Sequence, residues 1–98
     1  MSVVSELTIF PLGHESGMGK YVKRVVTRIS QFGYPYKVTA MGTIFETPEL
    51  SHALEVIQAA YDVLEPDSNR VYCTAKFDIA KSGLQRMESK VASIREEV

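Results

Sequence analysis

Glu46 is the residue whose placement the local pattern does not explain. It ends the apolar pair Ile44-Phe45 at the close of residues 36–46, YKVTAMGTIFE, and Thr47-Pro48 follows at once. An acid at such a junction of strand and helix can be an exposed strand end, or it can cap the next helix by accepting N–H bonds around residues 47–50. It can also be a half-buried carboxylate that accepts from an amine-bearing heterocycle or balances a ligand cation. In that case Thr43 and the aromatics Phe10, Tyr21, Tyr36 and Tyr72 are its candidate company. Junctions of this kind are frequent places of ligand contact.

Other constellations fail on spacing. The loop Gly-His-Glu-Ser-Gly-Met-Gly-Lys-Tyr at residues 13–21 evokes a phosphate-binding P-loop, but His14 and Tyr21 stand where its first glycine and its Ser/Thr hydroxyl are needed. Only a weaker use remains, an anion held by the N–H groups of residues 18–20 at a helix start. His14 and His52 are far apart, and neither has a His or Cys at ligand spacing, so no metal is expected. No nucleophile elbow or acyl-transfer signature is present, and no catalytic residue is assigned. A phosphoryl clamp needs an arginine in the first loop, which offers Lys20 alone. An RNA-reading strand three needs a basic-Gly-aromatic run, where this chain reads Met41-Gly42-Thr43-Ile44-Phe45-Glu46.

The elements that position these residues follow from periodicity. Residues 3–12 alternate as a half-buried strand, with Val3, Ser5, Leu7 and Ile9 on one face and Val4, Glu6, Thr8 and Phe10 on the other. Met18, Val22, Val25, Ile29 and Phe32 then recur at helical spacing, and Gly33 and Pro35 end that helix. Residues 36–46 form a hairpin about Met41-Gly42. Thr47-Pro48 reads as an N-cap with proline at N1, opening a helix that turns Leu50, Ala53, Leu54, Ile57, Tyr61 and Leu64 inward. Residues 70–78 make a fourth strand with Val71, Cys73, Ala75 and Phe77 toward the helices. Ser82 and Gln85 suggest a capping box for a last helix with the stripe Leu84, Met87, Val91 and Ile94.

This order, β-α-β-β-α-β-α, predicts an α+β fold: a ferredoxin-like β-α-β-β-α-β sandwich with an additional C-terminal helix. Ninety-eight residues make a single domain, 1–98, small enough that self-association as a dimer or tetramer is a natural supplement to its core. The open sheet face would carry Thr8, Phe10, Tyr72, Thr74 and Lys76, a mixture suited to a subunit interface. Eleven basic against twelve acidic residues, a net charge of −1, argue against nucleic acid. No run approaches the roughly 20 apolar residues of a membrane helix, and no signal segment is visible. Cys73 has no partner for an internal disulfide. A cytoplasmic protein without membrane contact is the expectation.

Runs along almost the whole chain resemble the small thiamine-binding-protein family, single-domain relatives of proteins that bind thiamine and its hydroxymethylpyrimidine portion. They are residues 7–13 (LTIFPLG), Tyr21-Val22, Met41-Gly42-Thr43 followed by Glu46, Arg70-Val71 with Lys76 and Asp78, and Glu88-Ser89-Lys90-Val91. The resemblance implies the ferredoxin-like fold, dimers and tetramers formed by sheet packing, and binding without catalysis or cofactor. It also turns Gly42, Thr43 and Glu46 into candidate ligand contacts, with Tyr36 or Phe10 as the stacking ring.

The expected function is therefore non-enzymatic binding of thiamine or a related hydroxymethylpyrimidine compound, as a carrier, buffer or sensor. The competing expectation is a regulatory or structural oligomerisation module of the same topology that binds an amino acid or no small ligand. The face on which Glu46 lies decides where a ligand contacting it would sit. The helix side implies a pocket inside the subunit; the open side implies one between subunits.

Overall fold

The computed structural model describes residues 1–14, 16–83 and 86–97. Its elements are β1 (Ser2–Pro11), α1 (Met18–Ser30), β2 (Tyr36–Thr39), β3 (Gly42–Thr47), α2 (Leu50–Asp62), a 3-10 turn (Glu65–Asp67), β4 (Val71–Ala80) and α3 (Arg86–Glu97). The strands form one antiparallel sheet in the order β2-β3-β1-β4. This is the expected ferredoxin-like arrangement with a third helix added. The expected capping box at Ser82 and Gln85, and Leu84 of the expected stripe, involve positions outside the described residues.

Strand pairing sorts the side chains by face, because directly opposed residues share a side. Val3, Ser5 and Leu7 of β1 oppose Thr47, Phe45 and Thr43 of β3, and all six are buried against the helices. Val4 and Glu6 oppose Glu46 and Ile44 on the other face. Val25 and Ile29 of α1 and Ala53, Val56 and Ala60 of α2 complete the core with Leu64, while Phe32, Tyr34, Leu50 and Ile57 pack at its margin.

Two helix assignments are corrected. Thr47 is the last residue of β3 rather than a helix cap. It opposes Val3, and its hydroxyl donates to the Glu49 carbonyl at 2.9 Å, which shapes the corner. Glu49 takes the cap position and the helix starts at Leu50. The inward stripe of α2 is Ala53, Val56, Ala59 and Ala60, whereas Leu54 and Tyr61 are 51% and 38% exposed. Small alanines let the helix axis approach the sheet, and that close approach fixes the rotation that large apolar residues alone would have set differently. On α1, Tyr21 is 4% exposed and belongs to the inward stripe, Val22 is outward, and Phe32 lies past the helix end.

The β2–β3 connection is tied to β1. Thr8 donates to the Met41 carbonyl at 2.7 Å. A Cβ at Gly42 would stand 2.7 Å from the Thr8 hydroxyl and 2.8 Å from the Leu7 carbonyl oxygen, so glycine is needed for the close approach.

Candidate functional site

Two concavities flank the sheet, and the five sequence-predicted residues divide between them. Under the β2–β3 turn, on the helix side, lies a cavity of about 210 Å³ lined by Phe10, Gly42 and Thr43 together with Met18, Val22 and Val38. Thr43 is 6% exposed. The hydroxyls of Thr8 and Thr39 are already used, on the carbonyls of Met41 and Gly42. That of Thr43 has no hydrogen-bond partner among the described residues, which leaves one polar group in apolar walls. Phe10 borders the cavity while its ring stacks on Tyr72 at 5.5 Å.

On the open face a groove of about 910 Å³ runs between the sheet and α3. Val4 and Ile44 floor it, Tyr36 and Lys37 stand on one side, Met87 and Val91 on the other, and Glu46 is among its lining residues. Glu46 thus lies on the face opposite Thr43, whereas Tyr36, which opposes Phe45, is on Thr43's side of the sheet and meets the groove only at the β2 edge.

The Glu46 carboxylate holds α3. One oxygen accepts from the Ser2 hydroxyl at 2.6 Å and the Arg86 amide at 3.0 Å, and the other accepts from the Met87 amide at 3.2 Å. These amides belong to the first turn of α3, where backbone N–H groups have no partner inside the helix. The capping expected of Glu46 as one alternative is therefore real, but for a helix forty residues on rather than for α2. Arg86 completes the latch. Its guanidinium donates to the Ser2 hydroxyl at 3.2 Å, the Ser2 carbonyl at 2.9 Å and the Asp78 carbonyl at 2.6 Å, and pairs with the Asp78 carboxylate at 3.0 Å. Lys90 also pairs with Asp78. Hydrogen bonds from Lys90 and then Arg86 hold the Asp78 carboxyl below its ordinary range.

Ser2 and Arg86 were not singled out from the sequence. One signal was available: an arginine in the first turn of a helix opposes the helix dipole, which implies a counterion elsewhere.

The P-loop-like loop has its own structural use. His14 Nε2 lies 3.1 Å from the Asp67 carbonyl, which can only accept, so Nε2 carries the proton and Nδ1 accepts from the Tyr21 hydroxyl at 3.2 Å. Arg24 pairs with Asp67 at 3.0 Å, and its hydrogen bond holds the Asp67 carboxyl below its ordinary range. Among the described residues no group of three or more His, Cys, Asp or Glu is placed to hold a metal ion. No helix among them is long and apolar enough to cross a membrane.

Comparison with known proteins points one way. The model of the thiamine-binding protein family matches residues 5–95. A UPF0045 protein of Methanothermobacter thermautotrophicus is 32% identical over 98 residues, covering 98% of this chain and 99% of its own. The crystal structure of a Methanocaldococcus jannaschii protein superposes with a TM-score of 0.86 at 30% identity, with 97% of each chain covered. A Thermotoga maritima protein provisionally assigned to thiamine biosynthesis or salvage shares the fold, with a TM-score of 0.84 at 20% identity over 96% of this chain and 99% of its own.

Proposed function

The chain belongs to the thiamine-binding protein family, and from that premise we propose that it binds thiamine or a related hydroxymethylpyrimidine compound in the helix-side cavity, without turning it over. The observation that carries this reading is the Thr43 hydroxyl, on a residue 6% exposed and without a hydrogen-bond partner among the described residues, at the wall of a largely apolar cavity. At about 210 Å³ the cavity lies below the roughly 300–1,000 Å³ of sites for drug-sized ligands. It suits one heteroaromatic ring. The aminopyrimidine ring enters, Thr43 donates to a ring nitrogen, and the side chains of Met18, Val22 and Val38 cover its faces. Gly42 brings the backbone of the turn close, and Phe10 borders the opening. A thiazolium ring, when present, stays outside.

Glu46 lies across the sheet from this cavity, and Tyr36, though on the helix side, is not among its lining residues, so a ligand there touches neither. A contact to Glu46 belongs to the open-face groove, where a second subunit would complete it. The exposed Tyr72, Val91 and Ile94 on that face support self-association into a dimer or tetramer. No set of nucleophile, base and acid converges on either concavity among the described residues, which supports a carrier, buffer or sensor, acting in the cytoplasm, over an enzyme.

Titration calorimetry with hydroxymethylpyrimidine and with thiamine tests the reading. Saturable binding of both, weakened by Thr43→Val, is expected. Flat isotherms at millimolar ligand would rule it out, and binding unaffected by Thr43→Val would move the site elsewhere.

A further inference from the structure

The helix-side cavity and the start of α1 adjoin, and they differ in charge. None of the residues lining the cavity is charged. Met18, Val22 and Val26 form its α1 wall, and Val22 is 42% exposed. Gly19 and Lys23 come next round the helix on that side, one turn apart, and both are exposed. A long helical side chain leans back toward the N-terminus of its helix, so Lys23 covers the turn that holds Gly19. That turn has room for a guest, because a Cβ built on Gly19 meets nothing within 4 Å. No side chain caps this end of α1. The Lys20 amide bonds to the Gly17 carbonyl at 3.2 Å, and the amides of Met18 and Gly19 have no partner among the described residues. α1 holds no acid, and its other basic side chains are engaged: Lys20 lies over the Tyr21 ring, Arg24 pairs with Asp67, and Arg28 lies over the Phe32 ring. Among the described residues, Lys23 has no ion pair, hydrogen bond or ring contact.

We propose that the preferred ligand is a phosphate monoester of the hydroxymethylpyrimidine, its ring in the cavity and its phosphate held at the mouth by Lys23 and the amides of Met18 and Gly19. The start of a helix favours any anion, and by itself that designates no site. What ties this one to a ligand is Thr43, 6% exposed and without a hydrogen-bond partner among the described residues, in the wall of the same cavity that Met18 lines. Thr43 meets the ring and the helix start meets the charge. Thiamine would bring a fixed cation to this mouth instead. There it would face the positive end of α1 and Lys23, and no carboxylate lines the cavity to balance it. The ester is therefore favoured over both the free alcohol and thiamine, and no bond is made or broken. This inference rests on the reading of the cavity as a pyrimidine site and adds the class of substituent that the site takes.

Titration calorimetry of the full chain with hydroxymethylpyrimidine, its phosphate monoester and thiamine tests it. The ester should bind about ten-fold tighter than the alcohol, and tighter than thiamine. Lys23→Gln should lower affinity for the ester about five-fold and leave that for the alcohol within about two-fold, whereas Lys23→Arg should keep the ester's advantage. Lys81→Gln removes the same charge just beyond Ala80, which opposes Ser2 at the other end of β1 from the cavity, and should change neither affinity. Equal binding of ester and alcohol, thiamine binding as tightly as the ester, or an advantage indifferent to Lys23→Gln would each overturn the phosphate contact while leaving the ring in its cavity. Flat isotherms for all three compounds would overturn the cavity reading itself, and the phosphate contact with it.

Discussion

The helix-side cavity and the open-face groove are separated by one thickness of sheet, yet their polar groups are in opposite states. In the cavity, Thr43 stands among mostly apolar side chains and its hydroxyl has no hydrogen-bond partner among the described residues. In the groove, the more conspicuous group, Glu46, is 4% exposed and accepts from Ser2, Arg86 and Met87. The acid that attracts attention in the sequence holds architecture together, and the proposed reading assigns recognition to a modest threonine three residues earlier. A buried charge must be paired to be tolerated at all. A hydroxyl that opens on a cavity costs less to leave waiting, so it suits a site that is empty part of the time.

If the two regions have these separate roles, changes in one should leave the other unmoved. The largest effect is expected from Glu46→Ala. It strips partners from the buried Ser2 hydroxyl and two helix amides, and should cost about 2–4 kcal/mol in denaturant unfolding. Affinity for hydroxymethylpyrimidine per folded molecule should stay within about two-fold; a proportionate loss of binding would return Glu46 to the ligand site.

Gly42→Ala comes next. Its methyl group would stand 2.7 Å from Thr8 Oγ1, so the turn must lift, at a cost of about 1–3 kcal/mol. Because the turn roofs the cavity, this substitution should weaken ligand binding as well, and calorimetry that finds full affinity would separate the turn from the site. Thr43→Val is smaller and the reverse of Glu46→Ala in kind. It should cost about 1 kcal/mol of binding, roughly five-fold in affinity, with little change in the unfolding midpoint.

Acid should produce the mildest effect, and on α3 it acts through Asp78. Asp78 has a folded pKa below its unfolded value, so the stability it contributes is present above the ordinary carboxylate range and is lost as pH falls through the depressed value. Amide exchange in α3 should therefore accelerate on acidification before that of the core strands. Equal acceleration in both would show that α3 is not held separately.

The sheet was legible in the sequence because a strand pattern has a period of two and every assignment of face follows from one correct residue. The alternation of Val3, Ser5, Leu7 and Ile9 against Glu6, Thr8 and Phe10 placed β1, and the mixed face of β4 placed Tyr72 beside Phe10. Helix rotation was less legible. Ala59 and Ala60 carry little hydrophobic weight in a pattern, but their small size decides how near α2 can lie, and so which way Leu54 and Tyr61 point. Thr47 gave a true hydroxyl-to-backbone signal that served a corner rather than a helix start. Gly42 and Thr43, which line the helix-side cavity, are neighbours within one local run of the sequence. The partners of Glu46 are not, because Ser2 and Arg86 are 44 and 40 residues away and no local pattern encodes contacts across such distances.

The latch also orders events in time. It draws on the first residue of β1, the penultimate residue of β3, the end of β4 and the first turn of α3, with 84 residues between Ser2 and Arg86. Loop closure over such separations is entropically unfavourable until intervening pairings have shortened the path. β1 must already be zipped to both β3 and β4 before Ser2, Glu46 and Asp78 stand near enough to receive the arginine. The docking of α3 is thus expected to come last in folding and to be reversed first, which would make the helix an indicator that the sheet beneath it is complete.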